Sequence, residues 1–250
     1  MPGLRVLVTG SSRGIGAACA QAFAARGDRV AVHYATGRDA AEAVRAALPG
    51  EGHAVVGGDL ADPEQVRGFV DAAAQALGGL DVLVNNAAVF EAHPAASTDY
   101  AAWQAAWERT LAINLLGAAN ATFCALAHFR SGGGGRVVNV SSRGAFRGEP
   151  DTPAYGASKA GLNAMGQSLA VALAGDGVAV MTVAPGFVET DMAAELLAGP
   201  QGDAIRAQSP FGRVARPEEV AATVVHLAAE APEFLSGCVV DVNGASYLRT

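Results

Sequence analysis

Apolar residues along this chain gather in short unbroken runs at Arg5-Thr9, Arg29-His33, His53-Gly57, Asp81-Val84, Arg136-Val140, Val178-Val183 and Cys238-Val242. A strand with one face in water alternates apolar and polar residues, whereas these runs are continuous, so each is expected to be covered on both faces. Alanine-rich segments of helical length separate most of them. The order is therefore βαβαβ, an α/β fold built on a doubly wound parallel sheet. No linker, composition shift or repeat divides the chain, and residues 1–250 read as a single domain.

Candidate chemistry lies at the ends of these runs. Thr9-Gly10-Ser11-Ser12-Arg13-Gly14-Ile15-Gly16 closes the first strand and leads straight into a helical segment. Glycines in such a turn let the backbone approach a pyrophosphate, and the helix start offers free amides and partial positive charge. Gly10, Ser12, Arg13, Gly14, Ile15 and Gly16 are thus a candidate dinucleotide cradle, with G-x-x-x-G-x-G spacing in place of G-x-G-x-x-G. After the second strand the chain reads Val32-His33-Tyr34-Ala35-Thr36-Gly37-Arg38, with no carboxylate for a ribose 2′-hydroxyl. Arg13 and Arg38, with Tyr34 beside them, suit a 2′-phosphate, because guanidinium matches phosphate geometry. NADP(H) is accordingly expected over NAD(H). Arg38 has a second reading, as a solvated residue opening the next helix. Asp59-Leu60 after the third strand are placed to meet an adenine, and Asn85-Asn86-Ala87 after the fourth to line a ribose. Both stretches also read as ordinary turn residues.

Tyr155 and Lys159 are four apart in a helical segment, so both project from one face, one turn apart. A free phenol titrates near pH ~10, and a nearby cation favours its phenolate. Of the 17 cationic side chains Lys159 is the sole lysine, in a chain that otherwise uses arginine. A lysine and an arginine are not interchangeable at a tuned site. The alternative is an exposed helical pair.

Composition narrows the partners. The net charge is -7 with no basic run, which argues against nucleic acid and anionic membrane. Only 16% of residues are charged, so much surface is expected to be buried, including between subunits. Cys19, Cys124 and Cys238 are far apart and the five histidines show no ligand spacing, so no metal site and a reduced, cytoplasmic setting are expected. No secretory signal is evident at the N-terminus. Thr110 to Phe129 carries no charged residue over a length that could span a bilayer, yet Asn114, Asn120 and His128 within it favour a buried helix.

With the glycine loop, Asn85-Asn86-Ala87, Ser142, Tyr155-x-x-x-Lys159 and Pro185-Gly186 in order, the chain resembles the short-chain dehydrogenase/reductase family over nearly its whole length. The resemblance implies a Rossmann-like sheet of seven strands, a nicotinamide cofactor and carbonyl-alcohol interconversion. By the same resemblance Tyr155 is the proton donor or acceptor. Lys159 lowers its pKa and holds the nicotinamide ribose, Ser142 bonds the substrate oxygen, and Asn114 supports a water relay. The family places its serine thirteen positions before the tyrosine, which selects Ser142 over Ser141. Pro185, Gly186, Val188 and Thr190 resemble the turn that contacts the nicotinamide. A substrate lid is implied at residues 187–216, loop-rich in this sequence, with Met192, Leu196, Leu197 and Phe211 as its apolar members.

Within the family the chain is most similar to 3-oxoacyl-acyl-carrier-protein reductases, chiefly over Gly10 to Gly16 and Ala184 to Met192. It departs from them at Ala88 and at Asn243-Gly244-Ala245, and it lacks a basic residue for an acidic carrier after Lys159. Arg130, Arg143 and Arg147 could supply that charge, or be loop and helix-end cations. The expected activity is an NADP(H)-dependent interconversion of a carbonyl and a secondary alcohol, with a 3-oxoacyl thioester as a candidate substrate; the alternative is a polyol, cyclic-ketone or steroid-like alcohol dehydrogenase using NAD(H). The rival from another class is a catalytically silent cofactor-binding sensor. The family also implies a homotetramer or homodimer built through helices near Ala102-Arg130 and Ala154-Ala174.

Overall fold

The computed structural model describes residues 3–249. Its strands are β1 Arg5–Val8, β2 Arg29–Tyr34, β3 Ala54–Gly57, β4 Val82–Asn85, β5 Gly135–Val140, β6 Val178–Pro185 and β7 Val239–Val242. The helices are α1 Gly14–Ala25, α2 Arg38–Ala47, α3 Pro63–Leu77, α4 Tyr100–Leu111, α5 Ala118–Gly132, α6 Pro153–Leu173, α7 Asp191–Ala198, α8 Gly202–Ala207 and α9 Pro217–Ala229. Each apolar run of the sequence is a strand, within one or two residues at either end. Together they make one sheet in the order β3-β2-β1-β4-β5-β6-β7, with every neighbouring pair parallel.

Both faces of the sheet are covered, which is why the runs are unbroken. Val6 and Val8 of β1 enter one core layer with Phe23 of α1 and Val224 of α9. Leu7, pointing the other way, joins Phe69 of α3 and Phe129 of α5. Fully burying side chains of this size stabilises by about 1.5–3 kcal/mol each. Helix ends follow local chemistry. The Asp62 side chain accepts from the Glu64 and Gln65 amides ahead of Pro63, starting α3, and Gly78 at φ 76° ends it.

β1 and β4 are neighbours, and the chain leaves them toward opposite edges of the sheet. Such a switch opens a crevice at the carboxyl ends of the two strands. It brings the turn after β1 against the turn after β4, and the site grows from there.

Two expectations are refined. The uncharged stretch lies in one continuous helix, Tyr100–Gly132, long and apolar enough to cross a membrane. One of its faces is core, through Ala121, Ala125 and Phe129, while Phe123 on the other is 76% exposed. Residues 187–216 are also more regular than a loop, holding α7, α8 and a bridge between Val188 and Ala215. Helices of 8 and 6 residues carry too few turns to show a period, and Gly199-Pro200 between them reads as a break.

Candidate active site

A cavity of about 610 Å³ runs along the carboxyl edge of the sheet. One end is walled by Tyr34, Thr36 and Gly37, the middle by the glycine turn, and the other end by Ser142, Tyr155 and Lys159.

The middle is shaped to take a flat, phosphate-bearing group against bare backbone. Gly10 has φ +61°, and a Cβ there would lie 2.9 Å from Ala87. A Cβ on Gly16 would meet Asn86 Nδ2 at 2.6 Å. α1 starts at Gly14 without a side-chain cap, so its first amides face the cavity unclaimed by a side chain. Thr9 ties the two turns together: its Oγ1 accepts from the Asn86 and Ala87 amides at 3.0 and 3.1 Å. Asn86 Nδ2 returns bonds to the carbonyls of Thr9 and Gly10. These residues fit a dinucleotide such as NAD(P), whose pyrophosphate needs close backbone and free amides.

His33, at the end of β2, fastens the glycine turn from the other side. Its Nδ1 accepts from the Gly10 amide at 3.0 Å and its Nε2 lies 3.0 Å from the Gly58 carbonyl, which fixes the neutral ring with its proton on Nε2. Burial pushes its pKa down to about 4.

The reactive end is assembled from β5, α6 and the turn between α4 and α5. Ser142 follows β5 and accepts from the Gly144 amide at 3.0 Å, which fixes its hydroxyl at the cavity wall. Tyr155 sits in the first turn of α6, behind Pro153, with its ring edge-on to Phe90 at 4.8 Å. Lys159, one turn on, is buried and donates to the Val140 carbonyl at 2.8 Å. Its Nζ stands 5.7 Å from the centre of the Tyr155 ring.

Asn114 lies behind the wall, in a π-helical turn spanning Ala112–Gly117. Its amide exchanges two bonds with the Val89 backbone, at 2.8 and 3.0 Å, and donates to Ser158 Oγ at 3.2 Å. The widened turn swings this side chain toward α6, a use of π-helical turns common at functional sites.

Electrostatically the pair differs from the expectation that Lys159 lowers the Tyr155 pKa. Burial pushes Tyr155 up to about 12; the neighbouring Ser142 hydroxyl works in the opposite direction, and Glu149 adds to the rise. Burial brings Lys159 down to about 8. Desolvation, which spacing along a helix does not reveal, is the largest cause at both groups.

Of the sequence candidates, Gly10, Ser12, Arg13, Gly14, Ile15, Tyr34, Asp59, Leu60, Asn86, Ala87, Ser142, Tyr155, Lys159, Pro185, Gly186, Val188 and Thr190 all line the cavity. Gly16 and Asn114 stand behind it. Arg38 is exposed at the start of α2 and does not line it. Within residues 187–216, Met192 and Leu196 reach the cavity, whereas Phe211 is 75% exposed.

Sequence reading missed Thr9 and His33, which look like ordinary strand-end residues, and Phe90 and Glu149, which belong to no motif. Arg143 reads from the sequence as a charge for an acidic carrier or as a loop cation, yet that residue is 3% exposed and lines the cavity.

The chain is similar to known proteins over nearly its whole length. A family model described as enoyl-(acyl carrier protein) reductase matches residues 10–245. The chain is 39% identical over 241 residues to cis-4-hydroxycyclohexanecarboxylate dehydrogenase of Sinomonas cyclohexanicum, covering 95% of this chain and 94% of that protein. It is 36% identical over 251 residues to D-threitol dehydrogenase of Mycolicibacterium smegmatis, covering 100% and 95%. The crystal structure of a short chain dehydrogenase from Burkholderia cenocepacia in complex with NADP superposes with a TM-score of 0.86 at 35% identity, covering 97% of each chain.

Proposed function

The chain is an oxidoreductase of the short-chain dehydrogenase/reductase family, and from that premise we propose that Ser142, Tyr155 and Lys159 interconvert a carbonyl and a secondary alcohol with NADP(H). The observation that carries this reading is the single cavity shared by the glycine cradle and the three side chains. With a nicotinamide cofactor bound in this cavity, its ring would supply or accept the hydride. Tyr155 holds a proton where charge develops on the substrate oxygen, and its pKa near 12 keeps that proton in place at neutral pH, as reduction requires. The Ser142 hydroxyl, anchored by Gly144, donates to the same oxygen. Lys159, held by Val140 beside the Tyr155 ring, would hold the cofactor ribose. Asn114 fixes the Val89 backbone and the underside of α6 behind them.

Preference for NADP(H) rests on Arg13 at the cavity edge and on the lack of a carboxylate at the end of β2. For the substrate, Phe90, Ile113, Met192 and Leu196 give apolar walls around the reactive end, which suit a small cyclic or aliphatic alcohol, the class to which the substrates named for the two relatives belong. A 3-oxoacyl thioester is the second reading, favoured by the acyl carrier description of the matching family.

Exposed Phe123 and Leu116 on the long helix and Val171 on α6 support a homodimer or homotetramer formed through these helices. The experiment is a cofactor-by-substrate matrix, with NADPH and NADH each tested against cyclic ketones, keto-polyols and 3-oxoacyl thioesters. Turnover of cyclic ketones or keto-polyols with NADPH supports the reading, and no turnover with either cofactor removes it.

A further inference from the structure

Arg143 is the next residue after Ser142, and its side chain is buried while still lining the cavity. Its guanidinium bonds two neutral groups, Nη1 to Ser246 Oγ at 2.7 Å and Nη2 to Gln208 Oε1 at 2.5 Å. The Phe187 ring covers it, 4.9 Å from the ring centre. Among the described residues no carboxylate forms an ion pair with it, although Arg5, Arg26, Arg109, Arg130, Arg213 and Arg249 all have one. A buried cation without a counter-ion is costly unless something else compensates its charge. The local field is mixed: burial first and then Arg147 oppose the charge, and Glu149, on the same cavity, favours it from beyond ion-pair range.

We propose that Arg143 is the specificity residue of this site and receives a carboxylate carried by the substrate, so that the preferred substrates are oxo- and hydroxy-acids with the acid group remote from the reacting carbon. The inference rests on the carbonyl-alcohol reading of the same cavity. A guanidinium has five donors, and the bonds to Ser246 and Gln208 take two while fixing its plane. The remaining N–H groups suit a carboxylate, and because the guanidinium is tied to Ser246 and Gln208 while Ser142 lines the same cavity, an anion bound there would belong to a part of the substrate other than the reacting carbonyl. Phe187 shields the pair from water, which strengthens it.

Two measurements test this, one without turnover. With NADP⁺ present, titration calorimetry of the full chain should show cyclohexanecarboxylate binding at least tenfold tighter than cyclohexanecarboxamide. In NADPH assays, kcat/KM for 4-oxocyclohexanecarboxylate should exceed that for its methyl ester at least tenfold, mainly through KM. Gln208→Glu, which sets a carboxylate against the guanidinium without deleting it, should bring both ratios toward one, as should Arg143→Gln. Equal binding of acid and amide by the wild type, or a preference that survives Gln208→Glu, overturns the proposal. Loss of all turnover with acid-selective binding intact would instead overturn the carbonyl-alcohol reading alone.

Discussion

The Lys159 ammonium stands 5.7 Å from the centre of the Tyr155 ring and spends its shortest bond, 2.8 Å, on the Val140 carbonyl. A lysine so buried is a cost to the fold. Its pKa falls to about 8, so between pH 8 and 10.5 the unfolded chain binds a proton that the folded chain does not, and stability rises with pH across that window. Lys159→Met removes the buried charge but leaves the Val140 carbonyl without its donor. We expect it to raise the unfolding free energy by about 1–2 kcal/mol at pH 7. The gain should shrink above pH 8 and vanish near 10.5, while turnover falls steeply. Urea midpoints at several pH values check this.

His33 works in the acid range. Its folded pKa of about 4 lies below the ordinary 6.5, so its contribution is full above pH 6.5 and is lost as pH falls through 4. That corresponds to about 3 kcal/mol of acid sensitivity. His33→Asn, which offers an oxygen to the Gly10 amide without an ionisable ring, should flatten the stability profile between pH 4 and 6.5. Thermal melts of both proteins across that range give the comparison.

Ala245 has φ +57°, a left-handed backbone that a side chain disfavours, and it is exposed. Ala245→Gly should stabilise by about 0.5–1 kcal/mol, since relief of strain exceeds the added freedom of the unfolded chain. Calorimetry should show a Tm higher by about 1–4 °C.

The two arginines assigned to a 2′-phosphate should separate. Arg13 lines the cavity and Arg38 does not. Arg13→Ala should lower the NADPH-to-NADH ratio of kcat/KM about tenfold, the loss of one charge-assisted phosphate contact. Arg38→Ala should leave the ratio within about twofold, since it removes no cavity contact. The four rate constants decide between them.

The sheet was legible because burial on both faces leaves a plain mark, the unbroken run, and each of the seven runs became a strand. The meeting of Tyr155, Lys159 and Ser142 at one cavity was foreshadowed by the family resemblance, to which spacing and a single lysine lent support at the first two. What spacing cannot carry is solvent. Desolvation reverses the expected shift of the Tyr155 phenol, and it also makes an apparent loop cation, Arg143, a buried one. His33 escaped notice because a histidine in an apolar strand looks like core until its two bonds, to Gly10 and Gly58, are seen.

The central claim is that the Tyr155 phenol delivers the proton, and Tyr155→Phe tests it most directly by removing one oxygen while keeping the ring against Phe90. On a ketone that the wild type reduces, with NADPH binding followed in parallel by fluorescence, turnover should fall about 10²–10⁴-fold and cofactor affinity by less than about tenfold. Full turnover in the variant would contradict the account.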